Sequence, residues 1–158
     1  MKGKNNHKKA FVNLNHARTQ EQVKVMTQII QDGVCPFCPQ YLLKYHSKPI
    51  IKETTHWFLT ENMSPYEGTA FHLMLISKRH FTMPGEMKAT ESTDLFKLIG
   101  WTTDKFKING GALLIRFGEN AMTGGSVDHF HVHIIVGEAD QNDKDADKIK
   151  IKVGYKKK

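Results

Sequence analysis

A chain of 158 residues carrying a formal charge of +7 is sized for one compact domain. Hydrophobic residues make up 39% and charged residues 25%, enough to fill a core and keep the surface in water. No apolar run approaches the ~20 residues a bilayer crossing needs, and no apolar stretch follows the basic start, so the expectation is a cytoplasmic protein with no membrane association and no secretory leader.

The expected organisation is a basic, poorly ordered N-terminus over residues 1–18, a single domain over 19–153 and a basic tail over 154–158. Much of the charge sits at the two ends, in Lys2, Lys4, Lys8 and Lys9 and in Lys148, Lys150, Lys152, Lys156, Lys157 and Lys158. Such ends attract polyanions weakly, which allows some nucleic-acid binding, or serve only as solvated tails; aromatics for base stacking are scarce among them. Thr19 opens a capping box with Gln22, Val23, Met26, Ile29 and Ile30 recur at helical spacing, and Gly33 closes the run. A Cys35-Pro36-Phe37-Cys38 knuckle follows. Residues 50–53, 56–61 and 70–76 are rich in β-branched and aromatic residues and are expected as strands, with a loop at 62–69 carrying Pro65 and Gly68. Pro84 and Gly85 break the chain before a second helix carrying Leu95, Phe96, Leu98, Ile99 and Phe106, stopped by Asn109-Gly110-Gly111. Residues 112–117 and 129–136 are two further strands around a glycine-rich loop at 118–126. After an acidic turn, Ile149, Ile151 and Val153 alternate with lysines as a short edge strand would. This pattern describes an α+β fold, an antiparallel sheet of about five strands with one main helix and an N-terminal helix.

The most informative stretch is His129-Phe130-His131-Val132-His133-Ile134-Ile135. In a strand, side chains alternate faces, so all three imidazoles lie on one side and Phe130, Val132 and Ile134 face the core. Neutral imidazoles offer metal ligation, phosphate binding or nucleophilic catalysis near pH 7. Just upstream, Thr123-Gly124-Gly125-Ser126 can turn backbone N–H groups toward an anion. The two cysteines are either half of a metal site or a redox pair, the latter disfavoured because they follow a helix instead of a first strand.

These residues resemble the histidine-triad (HIT) superfamily. The His129–Ile135 run matches its His-φ-His-φ-His-φ-φ signature, Gly124-Gly125-Ser126-Val127 occupies the place of its phosphate loop, and His72-Leu73-Met74-Leu75-Ile76-Ser77-Lys78-Arg79-His80 is similar to an upstream strand. With Cys35-Pro36-Phe37-Cys38, the resemblance covers roughly residues 34–137. It implies a HIT-like fold and a nucleotide substrate, with His131 attacking an α-phosphate to form a nucleotidyl-histidine, His133 and Ser126 contacting phosphate or leaving group, and His72 near the scissile bond. It also implies nucleotide contacts from Asn62, Gly124, Gly125, Ser126 and His133. A structural zinc ion held by Cys35, Cys38, His80 and His129 follows from the zinc-bearing branch, and a homodimer from the habit of relatives.

The implied activity is that of a nucleotide hydrolase or nucleotidyl transferase of the diadenosine polyphosphate or adenosine phosphoramidate class. Retention of the third histidine favours hydrolysis. The alternatives are an aprataxin-like nucleic-acid deadenylase and a non-catalytic zinc-stabilised nucleotide-binding module. Departures from the family pattern are Phe71 in place of Gly, Ser77 in place of Pro, and Gly118 where relatives often have Asn.

Overall fold

The computed structural model describes residues 10–157; Lys2, Lys4, Lys8, Lys9 and Lys158 lie outside the described residues. Helix α1 (Gln20–Asp32) begins where the Thr19 hydroxyl accepts the Gln22 N–H at 3.1 Å, while the Gln22 side chain reaches back to the Arg18 N–H at 2.8 Å. Gly33, at φ 65°, ends it by donating to the carbonyls of Ile29 and Ile30, a left-handed cap that glycine adopts without penalty. A second helix, α2 (Pro39–Tyr45), was not expected from the sequence. Its seven residues are too few to display a helical period, although Pro39 at its first position is a start signal.

Three antiparallel strands follow, β1 (Ile50–Glu53), β2 (Trp57–Glu61) and β3 (Thr69–Ser77). Helix α3 (Ala89–Phe106) then leads to β4 (Ala112–Ile115) and β5 (His131–Gly137). The sheet order is β1-β2-β3-β5-β4, antiparallel throughout, so the chain has the expected α+β fold around a five-stranded sheet.

Alternation sorts the side chains onto two faces. Trp57, Leu59, Leu73, Leu75, Phe130, Val132 and Ile134 pack with Leu95 and Leu98 of α3 in the main core. Each such side chain contributes about 1.5–3 kcal/mol by leaving water. The buried Trp57 indole N–H donates to the Glu91 carbonyl at 2.8 Å, fixing β2 to the first turn of α3. On the opposite face, Met74 and Ile76 pack with Leu42 of α2 and with Phe37. Met26 and Ile29 of α1 join Tyr45, Val12 and Val127 beside them. The histidines of β3 and β5 share this second face, beside which α1, α2 and Phe37 pack.

Three expectations differ from the structure. Helix α3 is ended by Lys107, which takes the left-handed conformation (φ 52°) and donates to Asp104, so the glycines at 110 and 111 lie beyond the stop. Residues 10–18 carry structure that their polar composition did not signal: Val12 is buried and forms an antiparallel bridge with Val127, followed by a 3-10 turn at Leu14–His16. Ile149, Ile151 and Val153 form no strand. That segment instead crosses the glycine-rich loop, where the Lys152 carbonyl accepts from a side chain, Arg116 Nη2, at 2.8 Å.

Candidate functional site

Antiparallel pairing of β3 with β5 sets His72 opposite Ile135, Met74 opposite His133 and Ile76 opposite His131. The even-numbered residues of β3 and the odd-numbered residues of β5 therefore form one histidine-bearing surface. His72, His129, His131 and His133 are all buried there. His129 lies just before β5 begins at His131, so the periodicity of the histidine run carries one residue pair past the strand end.

The hydrogen bonds assign a proton to each ring. The Tyr66 N–H donates to His72 Nδ1 at 3.1 Å, so neutral His72 carries its proton on Nε2. That Nε2–H donates to His133 Nδ1 at 3.0 Å, which places the His133 proton on its own Nε2. His131 Nδ1–H donates to the His129 carbonyl at 2.5 Å, leaving a lone pair on His131 Nε2. His129 Nε2–H donates to the Ser77 carbonyl at 2.7 Å, leaving a lone pair on His129 Nδ1. Burial, reinforced by the charge of Arg116, holds His131 down to about 4. Burial, then Arg18, Arg116 and His131, hold His72 down to about 4. His133 is driven well below the usual histidine value, chiefly by burial. All three are neutral at pH 7.

His129 Nδ1 faces a second cluster. It lies 3.2 Å from Cys35 Sγ, 3.9 Å from Cys38 Sγ and 3.1 Å from His80 Nδ1, and Cys38 Sγ lies 3.7 Å from His80 Nδ1. The four ligand atoms all fall within 4.8 Å of one another. A tetrahedral ion with bonds of about 2.0 Å to nitrogen and 2.3 Å to sulfur separates its ligands by about 3.3–3.8 Å. The donor set and spacing therefore fit one metal ion, and the inward lone pair on His129 completes the fit. Phe37, between the two cysteines, sets its ring edge-on to His129 and to His131, at centroid distances of 6.1 and 5.2 Å.

The histidine surface opens into a cavity of about 930 Å³ lined by His131, His133, Asn62, Gly124, Gly125 and Ser126. His72 stands directly behind, through its bond to His133. The structure thus brings together every expected site residue, in two adjoining groups. Asn62 Nδ2 lies 3.1 Å from His72 Nε2, and its Oδ1 accepts the Ser64 N–H at 2.8 Å. Gly124 and Gly125 are required by close approach. An added Cβ on Gly124 would lie 2.6 Å from the Lys152 carbonyl oxygen, and one on Gly125 would lie 3.2 Å from Arg116 Cδ. The Gly125 N–H donates to Thr123 Oγ1 at 3.0 Å, and its carbonyl accepts His16 Nδ1–H at 2.5 Å.

Sequence reasoning missed the polar wall of this cavity. Arg18 lies over the Tyr66 ring, 4.7 Å from its centroid, and Tyr66 stacks on His72 with centroids 4.6 Å apart. Arg116 Nη2 donates to Tyr66 Oη at 3.0 Å as well as to the Lys152 carbonyl. Tyr155 donates to His16 Nε2 at 2.5 Å, tying the segment over the loop to the N-terminal turn. Leu114 pairs with His133, so Arg116, two residues further along, points to the histidine face, but that register is a fact of the structure and not of the sequence. No local sequence signal pointed to Arg116, Arg18 or Tyr155.

A five-stranded antiparallel sheet with a histidine-bearing inner strand beside a glycine-rich loop defines the histidine-triad class. Residues 45–140 match the family model described as HIT domain, and the chain belongs to that family. Among solved structures it resembles a HIT family hydrolase from Clostridium thermocellum, at 22% identity and a TM-score of 0.53, over 71% of this chain and 96% of that one. A histidine triad nucleotide-binding protein from Candida albicans is 20% identical, with a TM-score of 0.54 over 64% and 73% of the two chains. A hypothetical histidine triad nucleotide-binding protein from Sulfolobus tokodaii is 24% identical, with a TM-score of 0.52 over 78% and 82%. At these identities the likeness is one of fold. No curated protein sequence matches the chain. Among the described residues, no helix is long and apolar enough to cross a membrane.

Proposed function

We propose that this protein is a nucleotide hydrolase that cleaves at an α-phosphate through a nucleotidyl-histidine on His131 Nε2. The observation that carries this reading is the bond from His131 Nδ1–H to the His129 carbonyl, which leaves Nε2 unprotonated in a ring held neutral by burial. A neutral imidazole nitrogen is a good nucleophile at phosphorus and a good leaving group afterwards. In the first step Nε2 bonds to the α-phosphorus, the bond to the leaving group breaks, and its electron pair departs with that group. Ser126 stabilises the departing atom, and Nε2–H of His133, polarised through His72, donates to a non-bridging phosphate oxygen. Water then attacks phosphorus and gives up one proton to solvent, the P–N bond breaks with its electron pair returning to His131 Nε2, and a nucleoside monophosphate is released. Asn62 and the Gly124–Gly125 loop complete the nucleotide contacts.

Cys35, Cys38, His80 and His129 hold a structural zinc ion in this reading, supported by their donor types and spacing. Once bound, such an ion supplies rigidity and no open coordination position. A homodimer through β4 is supported by that strand's place at the sheet edge and by exposed Leu113, Ile115 and Phe117 around it.

The test is to incubate the protein and its His131→Ala variant with adenosine 5′-phosphoramidate, diadenosine tetraphosphate and an adenylylated oligonucleotide, following AMP and quantifying bound zinc. AMP from the unmodified protein alone is expected, together with a trapped nucleotidyl adduct on His131. Nucleotide binding with a full zinc complement and no AMP from any substrate would replace the hydrolase with a non-catalytic binding module.

A further inference from the structure

The wall of the cavity is cationic well beyond what one α-phosphate needs. Besides His131 and His133 it is lined by Arg18, Arg116, Lys150 and Lys152, against a single acid, Glu21. Among the described residues, no carboxylate lies within ion-pair distance of either arginine. Arg116 is held rigidly, with Nη2 bonded to Tyr66 Oη and to the Lys152 carbonyl. Its Nε is fully buried without a hydrogen-bond partner, the one such side-chain atom among the described residues. That atom lies beside the phosphate loop, 3.4 Å from where a Cβ on Gly124 would stand. A buried, unpaired charged donor costs free energy unless a ligand supplies an acceptor. Arg18 reaches the same cavity from the other side, laid over Tyr66.

We infer that Arg116 and Arg18 are specificity-determining residues that read a second phosphate on the leaving-group side of the scissile bond. The preferred substrates are then compounds with a P–O–P linkage at the α-phosphate. In these the bond from α-phosphorus to the bridging oxygen breaks, and that oxygen keeps the electron pair on the departing phosphate. The arginines stabilise the negative charge that collects there. A phosphoramidate, whose leaving group is an amine, gives them nothing to bind. This inference rests on the proposed chemistry at His131 for its kinetic arm, and on binding alone for its second arm.

The kinetic arm compares kcat/KM for diadenosine tetraphosphate and for an adenylylated 5′-phosphate oligonucleotide with that for adenosine 5′-phosphoramidate. The expected ratio favours both P–O–P substrates, and Arg116→Gln lowers it about 10- to 100-fold, the worth of one charge-assisted hydrogen bond. Arg116→Lys, which keeps the charge but loses the planar fork, falls between, and Arg18→Gln lowers the ratio in the same direction. A shared loss for dinucleotide and oligonucleotide supports the inference whichever is the larger substrate. Unchanged ratios in folded variants overturn it.

The binding arm needs no turnover and no variant. ADP is expected to bind the unmodified protein at least about 10-fold more tightly than AMP, with a preference that shrinks as salt is added. Equal affinities for ADP and AMP overturn the inference even if hydrolysis is observed. Absence of hydrolysis with ADP preference intact defeats the reading of His131 and leaves this one standing.

Discussion

His131 donates its Nδ1 proton to the backbone carbonyl of His129 at 2.5 Å. The residue that accepts this proton also offers its own Nδ1 to the Cys35, Cys38 and His80 cluster. Ring and carbonyl of one histidine thus serve two neighbouring groups, and whatever fixes His129 in place also fixes which nitrogen of His131 is available.

Metal removal should therefore register at both groups. Stripping the ion with a strong chelator is expected to lower Tm by about 10 °C, taking a ligand present at about 1,000 times its Kd and a domain of this size. Turnover should fall in parallel, and both should return on adding zinc. Calorimetry with and without chelator checks it; no metal released and an unmoved Tm would remove the metal from the account.

Phe37 is the side chain that spans the two groups. Phe37→Ala removes the edge-on ring contacts to His131 and His129 and the packing on Leu42, Met74 and Ile76. A loss of about 2–3 kcal/mol in unfolding free energy is expected, below the 3–5 kcal/mol of a fully buried aromatic because Phe37 is only half-buried. The kinetic signature expected is a lowered kcat at little-changed KM. Stopped-flow nucleotide binding alongside steady-state rates would separate the two, and a change confined to KM would contradict the positioning role.

His72 gives a pH dependence with a defined sign. Its neutral ring is buried against Tyr66 and His133, facing Arg18, Arg116 and His131, and is held at about 4. The unfolded chain takes up a proton near pH 6.5, so the stabilisation is complete above pH 6.5 and lost as pH falls toward 4. Urea midpoints for the protein and for His72→Gln should diverge at pH 7.5 and converge by pH 4.5. Parallel curves across that range would show that His72 is not the group responsible.

The first turn of α3 depends on Glu91. Its carboxylate takes Arg79 through two parallel bonds of 2.7 and 2.8 Å and also accepts the Lys88 N–H at 2.8 Å. The Arg79 guanidinium beside it lowers the carboxyl to about 2. Glu91→Gln should cost about 2 kcal/mol at pH 7, below the 3–5 kcal/mol of a fully buried pair because Arg79 is half-exposed. The penalty should shrink as pH falls from 4.5 toward 2, where Glu91 itself loses its charge. Denaturant curves at pH 7 and pH 3 measure both values.

The parts of this architecture that repeat locally were readable in advance. Thr19, Gln22 and Gly33 framed α1, and alternation in the His129–Ile135 run assigned Phe130, Val132 and Ile134 to the core. The cluster of Cys35, Cys38, His80 and His129 was readable only through resemblance, because 42 residues separate Cys38 from His80 and 49 separate His80 from His129, and no local pattern reports such pairings. The alternation of Ile149, Ile151 and Val153 misled for the opposite reason. A strand exists only if a neighbouring backbone is free to pair with it, and here the described contact for Lys152 is the side chain of Arg116. Arg116 was hidden for a related reason: its face follows from the register of β4 on β5, which only the folded structure supplies.

The family match spans residues 45–140, yet Val12, His16, Arg18, Lys152 and Tyr155 all line the cavity from outside that span. The cavity wall is thus assembled from inside and outside the matched span, with Arg116 within it and Arg18 before it. Substitutions in the flanking stretches can reshape the mouth of the cavity while β5 and its histidines stay unchanged. The flanking stretches are therefore where the cavity mouth of this chain can differ from that of other family members without any change in the histidine strand.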